Sequence, residues 1–344
     1  MFSFIVPVYN TSEYLEECIK TLLCQEGAEF EILLVDDGST DNSGNICDRF
    51  ANEYPETVRV IHKSNEGSLL TRRIGFKEAK GDWFICVDSD DYVRNDLLTN
   101  IINAIEKFNP DMVMYNFQYV NESSEVKESR IHMPNESLFE GKEKQEIYYR
   151  RLLTVDISGL PCKALKREIV DVNNDYSNCG IRSMCEDDVQ NLALFTNAEK
   201  IVYLDSPMYY YRKGHESMTA TQSYDYWMAL FTSFLVTEKY LDVWDIPEMI
   251  RQKYYTYNAE KLVNYLRWVF LQSPNSIPKQ LSEIVHDISI HPAFSRCFSS
   301  FNRKFSKTPY TRLSVPIIMR YIRNNSASGI RRFFSLEKKL LGKR

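Results

Sequence analysis

Glycine-rich phosphate-binding loops are absent from this sequence of 344 residues, which contains only 12 glycines. Neither GxGxxG nor GxxxxGK followed by Ser or Thr occurs at any position. Such loops hold the phosphates of dinucleotides and nucleoside triphosphates, because their glycines let the backbone approach the phosphate closely. The sequence therefore argues against a dinucleotide-dependent dehydrogenase and against a P-loop NTPase.

Cysteine pairs of the CxxC type are also missing, although the chain has eight cysteines at irregular intervals. Several of them lie inside apolar runs, where a thiol packs as a small hydrophobic side chain. This pattern predicts no structural zinc site, and it favours a reducing, cytoplasmic location.

Long apolar runs are missing as well. No stretch approaches the roughly 18 apolar residues that a membrane-spanning helix needs, and the start MFSFIVPVYN lacks the pattern of a signal peptide. The composition, with 44% hydrophobic and 26% charged residues, is typical of a folded globular protein. We therefore expect no segment of this sequence to cross a bilayer.

Charge is distributed unevenly along the chain. The formal net charge is −5, yet residues 301–344 carry twelve Lys or Arg against the single acidic residue Glu337, so this tail is +11 and residues 1–300 total −16. Apolar residues lie between the basic ones, which predicts an amphipathic tail at an anionic membrane surface. Two alternatives stay open, a solvated helical face and an interface in a homo-oligomer. A nucleic-acid partner is disfavoured, because the acidic body would repel phosphate.

The first 120 residues alternate short β-type runs with helical patterns. The runs FSFIVPVY, FEILLVDD, VRVIHKS and WFICVDSDD each precede a segment with helical spacing of apolar residues. This alternation indicates βαβ units around a mostly parallel sheet, whereas the pattern after Tyr224 is helical to the end. We predict an α/β catalytic domain in residues 1–215 and a helical C-terminal region in residues 216–344, which ends in the basic tail.

Polar residues follow several of the predicted strands. Because the carboxyl ends of parallel strands border one crevice, these side chains are expected to face a common ligand: Pro7, Tyr9, Asp36, Asp37, Arg72 and Asp88. Their chemistry suits a nucleotide, with carboxylates for base and ribose and arginine for a diphosphate. The run VDSDD also brings the carboxylates of Asp88, Asp90 and Asp91 within four positions. Their mutual repulsion predicts a divalent cation at this strand end.

The ordered series VPVYN, VDDGSTDNS, NEGSLLTRRIGFKEAKGDW and VDSDD resembles the motifs of the family 2 glycosyltransferases. The resemblance spans residues 3–215. It implies a GT-A fold of the Rossmann-like type and an inverting enzyme that uses a nucleotide-diphosphate sugar, with UDP expected and GDP and dTDP as alternatives. It further implies that Asp90 binds Mg²⁺ or Mn²⁺, that Asp88 contacts ribose or metal, and that Asp37 lies at the base. Arg72 is implied near the base or the diphosphate.

A second acidic cluster, CEDDVQNLALF, opens a predicted helix. An inverting transfer needs a general base for the acceptor hydroxyl, and a carboxylate at a helix start is well placed to point into a crevice. By resemblance, the family's ED element falls on Glu186 and Asp187, which implies Asp187 as the base and Glu186 as its orienting or acceptor-binding neighbour. Cys185 stands where the family usually has glycine, so Asp188 is a second candidate. Alternatively, these carboxylates only complement the helix dipole.

Two further elements resemble the family. The segment YYYRKGHESMT resembles an element in which aromatic and basic residues close over the donor. This implies a contact of Arg212 with the diphosphate or the metal, while His215 is either a similar ligand or a surface residue. Lys163 in LPCKALKRE matches a family lysine whose role stays open.

Together these residues and the resemblance predict the function of the chain. We expect an enzyme that moves a sugar from a nucleotide-diphosphate donor to a hydroxyl of a glycan or lipid-linked saccharide, of the bacterial cell-surface type. Its expected place is the cytoplasm, at the inner face of the cell membrane. The alternative is a catalytically inactive protein that binds sugar nucleotides or acts as a scaffold.

Overall fold

The computed structural model describes residues 1–120, 126–127, 131, 133–154, 156–174, 176, 181, 185–213, 224–271 and 281–341. The chain divides into two compact units, Met1–Ala220 and Thr221–Arg344. Buried apolar side chains form a core in each of them. The assignment of catalysis to residues 1–215 stays a prediction.

The first unit alternates strands and helices. Its described strands are β1 (Phe2–Val8), β2 (Phe30–Asp36), β3 (Val58–His62), β4 (Trp83–Cys86), β5 (Tyr92–Val93), β6 (Met112–Val120), β7 (Val126–Lys127), β8 (Ser137–Glu140), β9 (Lys163–Lys166) and β10 (Lys200–Arg212). Its described helices are α1 (Leu15–Leu23), α2 (Ser43–Glu53), α3 (Ser68–Glu78), α4 (Leu97–Phe108), α5 (Lys144–Leu153) and α6 (Glu186–Asn197). The predicted α/β class is confirmed.

All ten described strands belong to one sheet. Its order is β3-β2-β1-β4-β9-β6-β10-β5, with β7 on β6 and β8 on β10. Strands β1 to β4 pair in parallel, and so do β6 and β10. Because β9 is antiparallel to both β4 and β6, the group β1 to β4 and the pair β6 and β10 point in the same direction. The opposite direction is taken by β5, β7, β8 and β9. Six of the ten described strands therefore share one direction, which confirms the mostly parallel sheet.

Strand β1 shows why helices cover both faces of this sheet. Side chains alternate between the faces of a strand, and Phe4 and Val6 pack into the core that contains side chains of α1, α2 and α4. Ile5 lies against α3 instead, where a Cβ on Gly75 would come within 2.3 Å of the Ile5 side chain. A strand covered on both faces is nearly continuously apolar, and FSFIVPV fits this apart from Ser3, whose buried hydroxyl donates a hydrogen bond to Glu31.

The strand order reverses at β1, since the chain adds β2 and β3 on one side of it and β4 on the other. Ligand crevices in α/β sheets open at the carboxyl ends of strands where the order reverses in this way. The loops after β1 and β4 meet there, because Thr11 Oγ1 donates a hydrogen bond to Ser89 Oγ at 2.9 Å. The backbone N–H of Thr11 also reaches Ser43 Oγ of α2 at 3.0 Å. The segments after β1, β2 and β4 therefore border one region.

The second unit is helical in its described residues. The helices are α7 (Tyr224–Glu238), α8 (Tyr240–Val243), α9 (Glu248–Leu271), α10 (Leu281–Ile290), α11 (Pro292–Ser300), α12 (Pro309–Arg323) and α13 (Ala327–Leu341). Trp227 stacks on Tyr265 in their core, with ring centroids 4.4 Å apart. This confirms the prediction of a helical C-terminal region. Among the described residues, no helix combines the length and the apolar character that crossing a membrane requires.

The basic tail supplies much of this core. Val315, Ile318 and Ile322 of α12 are fully buried. The apolar side chains of the tail thus lie partly in the core, and among the described side chains of α12 and α13 the large apolar ones that remain exposed are Leu313, Ile317 and Leu336.

Candidate active site

Arg72 lies at the centre of the candidate site, and the start of α3 places it there. Asp37 accepts the backbone N–H groups of Glu66 and Gly67, each at 2.9 Å. Gly67 has a φ of +96°, a conformation that glycine adopts without a steric penalty. The close contact of Gly75 with β1 then lays the helix on the sheet, and Arg72 is only 4% exposed. The motif NEGSLLTRRIG therefore builds a buried arginine beside the strand ends.

The Arg72 guanidinium joins carboxylates from two distant segments. Its Nη2 donates to Asp88 Oδ1 at 2.6 Å. Its Nη1 donates to Glu186 Oε1 at 2.8 Å and to Asp187 Oδ1 at 3.0 Å. Ser68 Oγ adds a hydrogen bond to Glu186 Oε1 at 2.7 Å. We call Arg72, Asp88, Glu186 and Asp187 the Arg72 cluster.

Negative charge exceeds positive charge in this cluster. Burial raises the pKa of Asp88, Arg72 acts against that rise, and the charges of Asp187 and Asp90 add to it. Burial and the charge of Asp187 also raise the pKa of Glu186. Although burial alone would lower the pKa of Arg72, the three carboxylates raise it, so the guanidinium stays protonated. A further cation would relieve the remaining negative charge.

The three aspartates after β4 have different partners. Asp91 is 2% exposed, and its carboxylate accepts the hydroxyl of Tyr209 at 2.6 Å and the backbone N–H of Arg212 at 2.8 Å. It therefore connects the loop after β4 to β10 and has a structural role. Asp88 and Asp90 are half-buried, and these two remain the candidate metal ligands.

Arg212, the last residue of β10, contacts the backbone of the same loop. Its Nε donates to the carbonyl oxygen of Asp90 at 3.0 Å, and its Nη2 donates to Glu17 at 2.8 Å. The guanidinium also packs on the rings of Tyr14 and Tyr92, at 5.0 and 5.1 Å from their centroids. The contact of Arg212 with a diphosphate stays a prediction, and His215 lies outside the described residues.

Asp187 and Asp188 lie against different neighbours. One oxygen of Asp187 accepts from Arg72, and the other accepts the backbone N–H of Leu160 at 3.1 Å. The Asp188 carboxylate instead pairs with Arg151 of α5 at 3.2 Å. The geometry favours Asp187 over Asp188 as the candidate base, because only the former joins the Arg72 cluster in the described residues.

Cys185 precedes α6 with a φ of 60° and a ψ of 17°, in the left-handed region. A side chain in that conformation costs about 1 to 2 kcal/mol relative to glycine. This explains why glycine suits the position in the family pattern, and it supports the alignment of the ED element with Glu186 and Asp187.

Asp36, at the end of β2, is held by its own loop. Its carboxylate accepts the backbone N–H of Ser39 at 3.0 Å and lies 2.8 Å from Nδ1 of His62. Burial alone would raise the pKa of Asp36, but the hydrogen bonds from Ser39 and His62 outweigh burial and lower it. Asp36 therefore stabilises the turn after β2.

Pro7 lies in β1, and Tyr9 follows that strand with 47% of its surface exposed. Among the described residues, no hydrogen bond joins any of these four candidates, Pro7, Tyr9, Asp36 and Asp37, to the Arg72 cluster. The structure thus brings Arg72 and Asp88 together with the ED pair, whereas these four candidate nucleotide ligands lie at the ends of β1 and β2 and just after them.

Asp88 and Asp90 offer the carboxylate oxygens that Mg²⁺ and Mn²⁺ prefer. No group of three or more His, Cys, Asp and Glu side chains forms a metal cage within the described ranges. Magnesium in nucleotide enzymes needs only one or two carboxylates, because substrate phosphates and water complete its coordination. The donor set and the excess negative charge fit a divalent cation shared with a nucleotide.

Sequence reasoning missed the groups that orient the ED pair. The Ser68 hydroxyl belongs to the NEGSLL motif, which offered a signal for it. The Leu160 N–H is a backbone group, which every residue except proline carries, so no residue type points to it.

Comparisons with known proteins agree with this architecture. The family model described as Glycosyl transferase family 2 matches residues 3–172. Glycosyltransferase GlyG of Streptococcus pneumoniae serotype 4 is 32% identical over 228 residues, which cover 64% of this chain and 74% of GlyG. EpsJ of Bacillus subtilis, named as an uncharacterized glycosyltransferase, is 31% identical over 235 residues, which cover 64% of this chain and 63% of EpsJ.

The fold is similar to that of Staphylococcus aureus TarS. The crystal structure of TarS 1–349 in complex with UDP-GlcNAc superposes with a TM-score of 0.64 at 21% identity, over 99% of this chain and 92% of that one. The TarS structure shows the fold alone. The match to GlyG, of which the chain spans 74%, and the family model show that the chain belongs to glycosyltransferase family 2 and is a transferase enzyme.

Proposed function

We propose that this chain is an inverting glycosyltransferase that moves a sugar from a UDP-sugar to a hydroxyl group of a glycan or lipid-linked saccharide. One observation carries the proposal: Arg72 donates hydrogen bonds to both Asp88 and Asp187. The segment proposed for the donor thus lies beside the carboxylate proposed as the base, as a displacement at one carbon atom requires. The UDP-GlcNAc in the TarS complex supports uracil as the base of the donor.

Asp187 acts as the general base in this proposal. Its carboxylate accepts the proton of the acceptor hydroxyl while that oxygen forms a bond to the anomeric carbon. The bond from the anomeric carbon to the diphosphate oxygen breaks, and the nucleoside diphosphate leaves on the opposite side, so the configuration inverts. Hydrogen bonds from Arg72 and Leu160 orient the two Asp187 oxygens.

Asp88 and Asp90 are the residues that would hold Mg²⁺ or Mn²⁺. Such a cation, when bound, neutralises charge on the diphosphate leaving group. Arg72 places a permanent positive charge next to Asp88. The other residues proposed to border the nucleotide are Pro7, Tyr9, Asp36, Asp37 and Arg212.

We also propose that residues 1–215 perform catalysis and that the tail 301–344 rests on anionic lipid at the inner face of the cell membrane. Leu313 and Ile317 are exposed one turn apart on α12, and Arg320 follows on the same side of the helix. An exposed stripe of apolar and basic residues is suited to a membrane surface. A homo-oligomer interface is the competing use of this stripe.

Calorimetric titration of UDP, GDP and dTDP, each with and without Mn²⁺, tests the donor site. We expect UDP to bind in a Mn²⁺-dependent manner and Asp90→Asn to lose this binding. Asp96→Asn is the matched control, since Asp96 lies in the following turn, pairs with Arg94 and is half exposed. If no nucleotide binds to the wild type under any condition, the proposal is wrong.

Turnover separates an enzyme from an inactive binding protein. Release of UDP from a panel of UDP-sugars, in the presence of saccharide acceptors, is expected for the wild type and not for Asp187→Asn. A wild type that binds UDP with Mn²⁺ and transfers none of the sugars would support the inactive alternative.

A further inference from the structure

Lys163, the first residue of β9, is buried and binds backbone carbonyl groups. It is 2% exposed. Its ammonium donates to the carbonyl oxygen of Ile157 at 3.0 Å and to that of Gly159. A buried ammonium loses its hydration, so it is retained only where such partners replace the water. The side chain therefore ties the segment before β9 to the interior of the first unit.

Helix α6 holds the same segment from another side. Asn191 Nδ2 donates to the carbonyl oxygen of Ser158 at 2.6 Å and to that of Asp187 at 2.8 Å. Three successive carbonyls, those of residues 157, 158 and 159, thus accept from Lys163 or Asn191. We call residues 157–160 the clamped turn.

The clamped turn ends at the backbone group that contacts the proposed base. The N–H of Leu160 donates to Asp187 Oδ2 at 3.1 Å, and the Leu160 side chain is fully buried. Since Arg72 donates to the other oxygen of Asp187, each oxygen has one donor among the residues that the structure describes. The orientation of this carboxylate depends on where the clamped turn places the Leu160 N–H.

Residues of α6 that face the clamped turn are spaced four apart, so they lie on one side of the helix. Asp187 and Asn191 make the hydrogen bonds described above, and the centroid of the Phe195 ring lies 5.5 Å from Lys163 Nζ. One face of α6 therefore carries the proposed base Asp187, the Asn191 side chain that binds the clamped turn, and the Phe195 ring on which Lys163 packs.

We propose that Lys163 is a positioning residue for sugar transfer, which holds the clamped turn so that the Leu160 N–H keeps the Asp187 carboxylate in its working orientation. The inference rests on the proposed role of Asp187 as the general base. A displacement on the order of 1 Å at a reacting group costs roughly 100-fold in rate. Lys163 itself touches neither donor nor acceptor in this proposal.

Amide hydrogen exchange tests the clamp without any substrate. Lys163→Met keeps the length and the apolar part of the side chain and removes the donors. We expect exchange at the Leu160 amide to become at least about 10-fold faster in this variant, because the clamped turn opens more often. Lys166→Met is the matched control on the same strand, since Lys166 pairs with Glu168 at the surface, and it should leave that exchange unchanged. Unchanged exchange in Lys163→Met would overturn the proposal.

Kinetics test the consequence of the clamp for transfer. For Lys163→Met we expect kcat per folded molecule to fall about 10- to 100-fold, with UDP affinity and the donor KM close to wild type. Lys163→Arg, which keeps the charge and the donors, should recover most of the rate. A kcat equal to wild type, or a parallel loss of UDP binding, would contradict a positioning role.

Asn191→Leu serves as the second variant should Lys163→Met fail to fold. Within the clamped turn it releases only the Ser158 carbonyl. We therefore expect Leu160 amide exchange to become faster and kcat to fall, both by less than in Lys163→Met. Wild-type values of both the exchange rate and kcat would overturn the proposal. If the wild type transfers no sugar at all, the proposed function fails, and the exchange rates alone still decide whether Lys163 holds the turn.

Discussion

The guanidinium of Arg72 lies 2.6 Å from the carboxylate of Asp88, although Arg72 belongs to a helix and Asp88 to the loop after a strand. Arg72→Met would leave three carboxylates of the Arg72 cluster without their counter-charge. Because breaking a buried ion pair on one side costs about 3 to 5 kcal/mol, we expect the free energy of unfolding to fall by that amount at pH 7. Urea denaturation followed by circular dichroism measures it.

Arg49→Met is the control for this prediction. Arg49 also pairs with a carboxylate, that of Glu16, but both side chains are more than 40% exposed, so stability should stay at the wild-type value. An unchanged free energy of unfolding in Arg72→Met would contradict the charge balance that we describe for the cluster.

Asp187 and Asp188 provide a matched pair for the catalytic base. Asp187→Asn should lower kcat by about 100-fold or more, the usual contribution of a general base, while Mn²⁺-dependent UDP binding stays intact. Asp188→Asn should retain most of the activity, because Asp188 pairs with Arg151 away from the cluster. Initial rates of UDP release by the two variants decide which aspartate is the base. A larger loss of rate in Asp188→Asn than in Asp187→Asn would identify Asp188 as the base.

Substitution of Asp91 is expected to lower the stability of the protein, whereas substitution of Asp90 is expected to lower its affinity for the metal. Asp91→Ala leaves the Tyr209 hydroxyl and the Arg212 N–H without their acceptor, so the free energy of unfolding should fall by about 1 to 3 kcal/mol per unsatisfied group. Its affinity for Mn²⁺ with UDP should equal that of the wild type. Asp90→Asn should show the reverse, and a loss of metal affinity in Asp91→Ala would make Asp91 a ligand.

The rate of transfer should depend on the protonation of Lys163. Burial lowers the pKa of Lys163 to about 8, with further influence from Cys162, Asp187, Arg151 and Cys86. Below this pH the ammonium donates charge-assisted hydrogen bonds to the clamped turn, and above it the neutral amine donates weaker ones. The wild-type kcat should therefore decline as the pH rises through about 8.

Lys163→Arg should lack this decline, because a guanidinium keeps its proton throughout that range. Cys86 and Cys162 do not interfere, since burial raises the pKa of Cys86 to about 12 and also raises the pKa of Cys162. Identical pH profiles of kcat in the wild type and in Lys163→Arg would argue against the prediction.

Membrane binding is best tested with surface variants of the whole chain. Removing the tail would also remove the buried residues of α12, such as Ile318 and Ile322, and so unfold the second unit. The double variant Ile317→Ser, Arg320→Ser should lower co-sedimentation with anionic phosphatidylglycerol vesicles at least about 5-fold, since one basic residue contributes about 1 kcal/mol near such lipid.

The control for the vesicle experiment is the double variant Lys239→Ser, Val243→Ser, whose exposed residues lie in or next to α8 outside the tail. It should sediment like the wild type. Equal sedimentation of the tail variant and the wild type would remove the membrane proposal and leave the homo-oligomer interface, which analytical ultracentrifugation measures.

Much of the fold was predictable because its signals are local. The apolar runs of β1, β2 and β4 and the amphipathic helices between them follow from the periodicity of the side chains. The short strand β9 was not predicted, because its pairing with β4 and β6 is antiparallel and depends on segments far away in the chain. The uses of the tail were only partly predictable, since periodicity reveals an apolar side chain but not whether the core or the surface receives it.

The sequence by itself determined the family, the α/β class and the candidate carboxylates, because residue types and their spacing encode these properties directly. Only the tertiary structure decided that Arg72 binds both Asp88 and Asp187. It likewise decided that Asp188 pairs with Arg151 of α5 and that Asp91 accepts a hydrogen bond from Tyr209 of β10. It also decided that a backbone N–H holds the proposed base. The physical reason is that such contacts join groups distant in sequence, and a backbone donor leaves no mark in the identity of its residue.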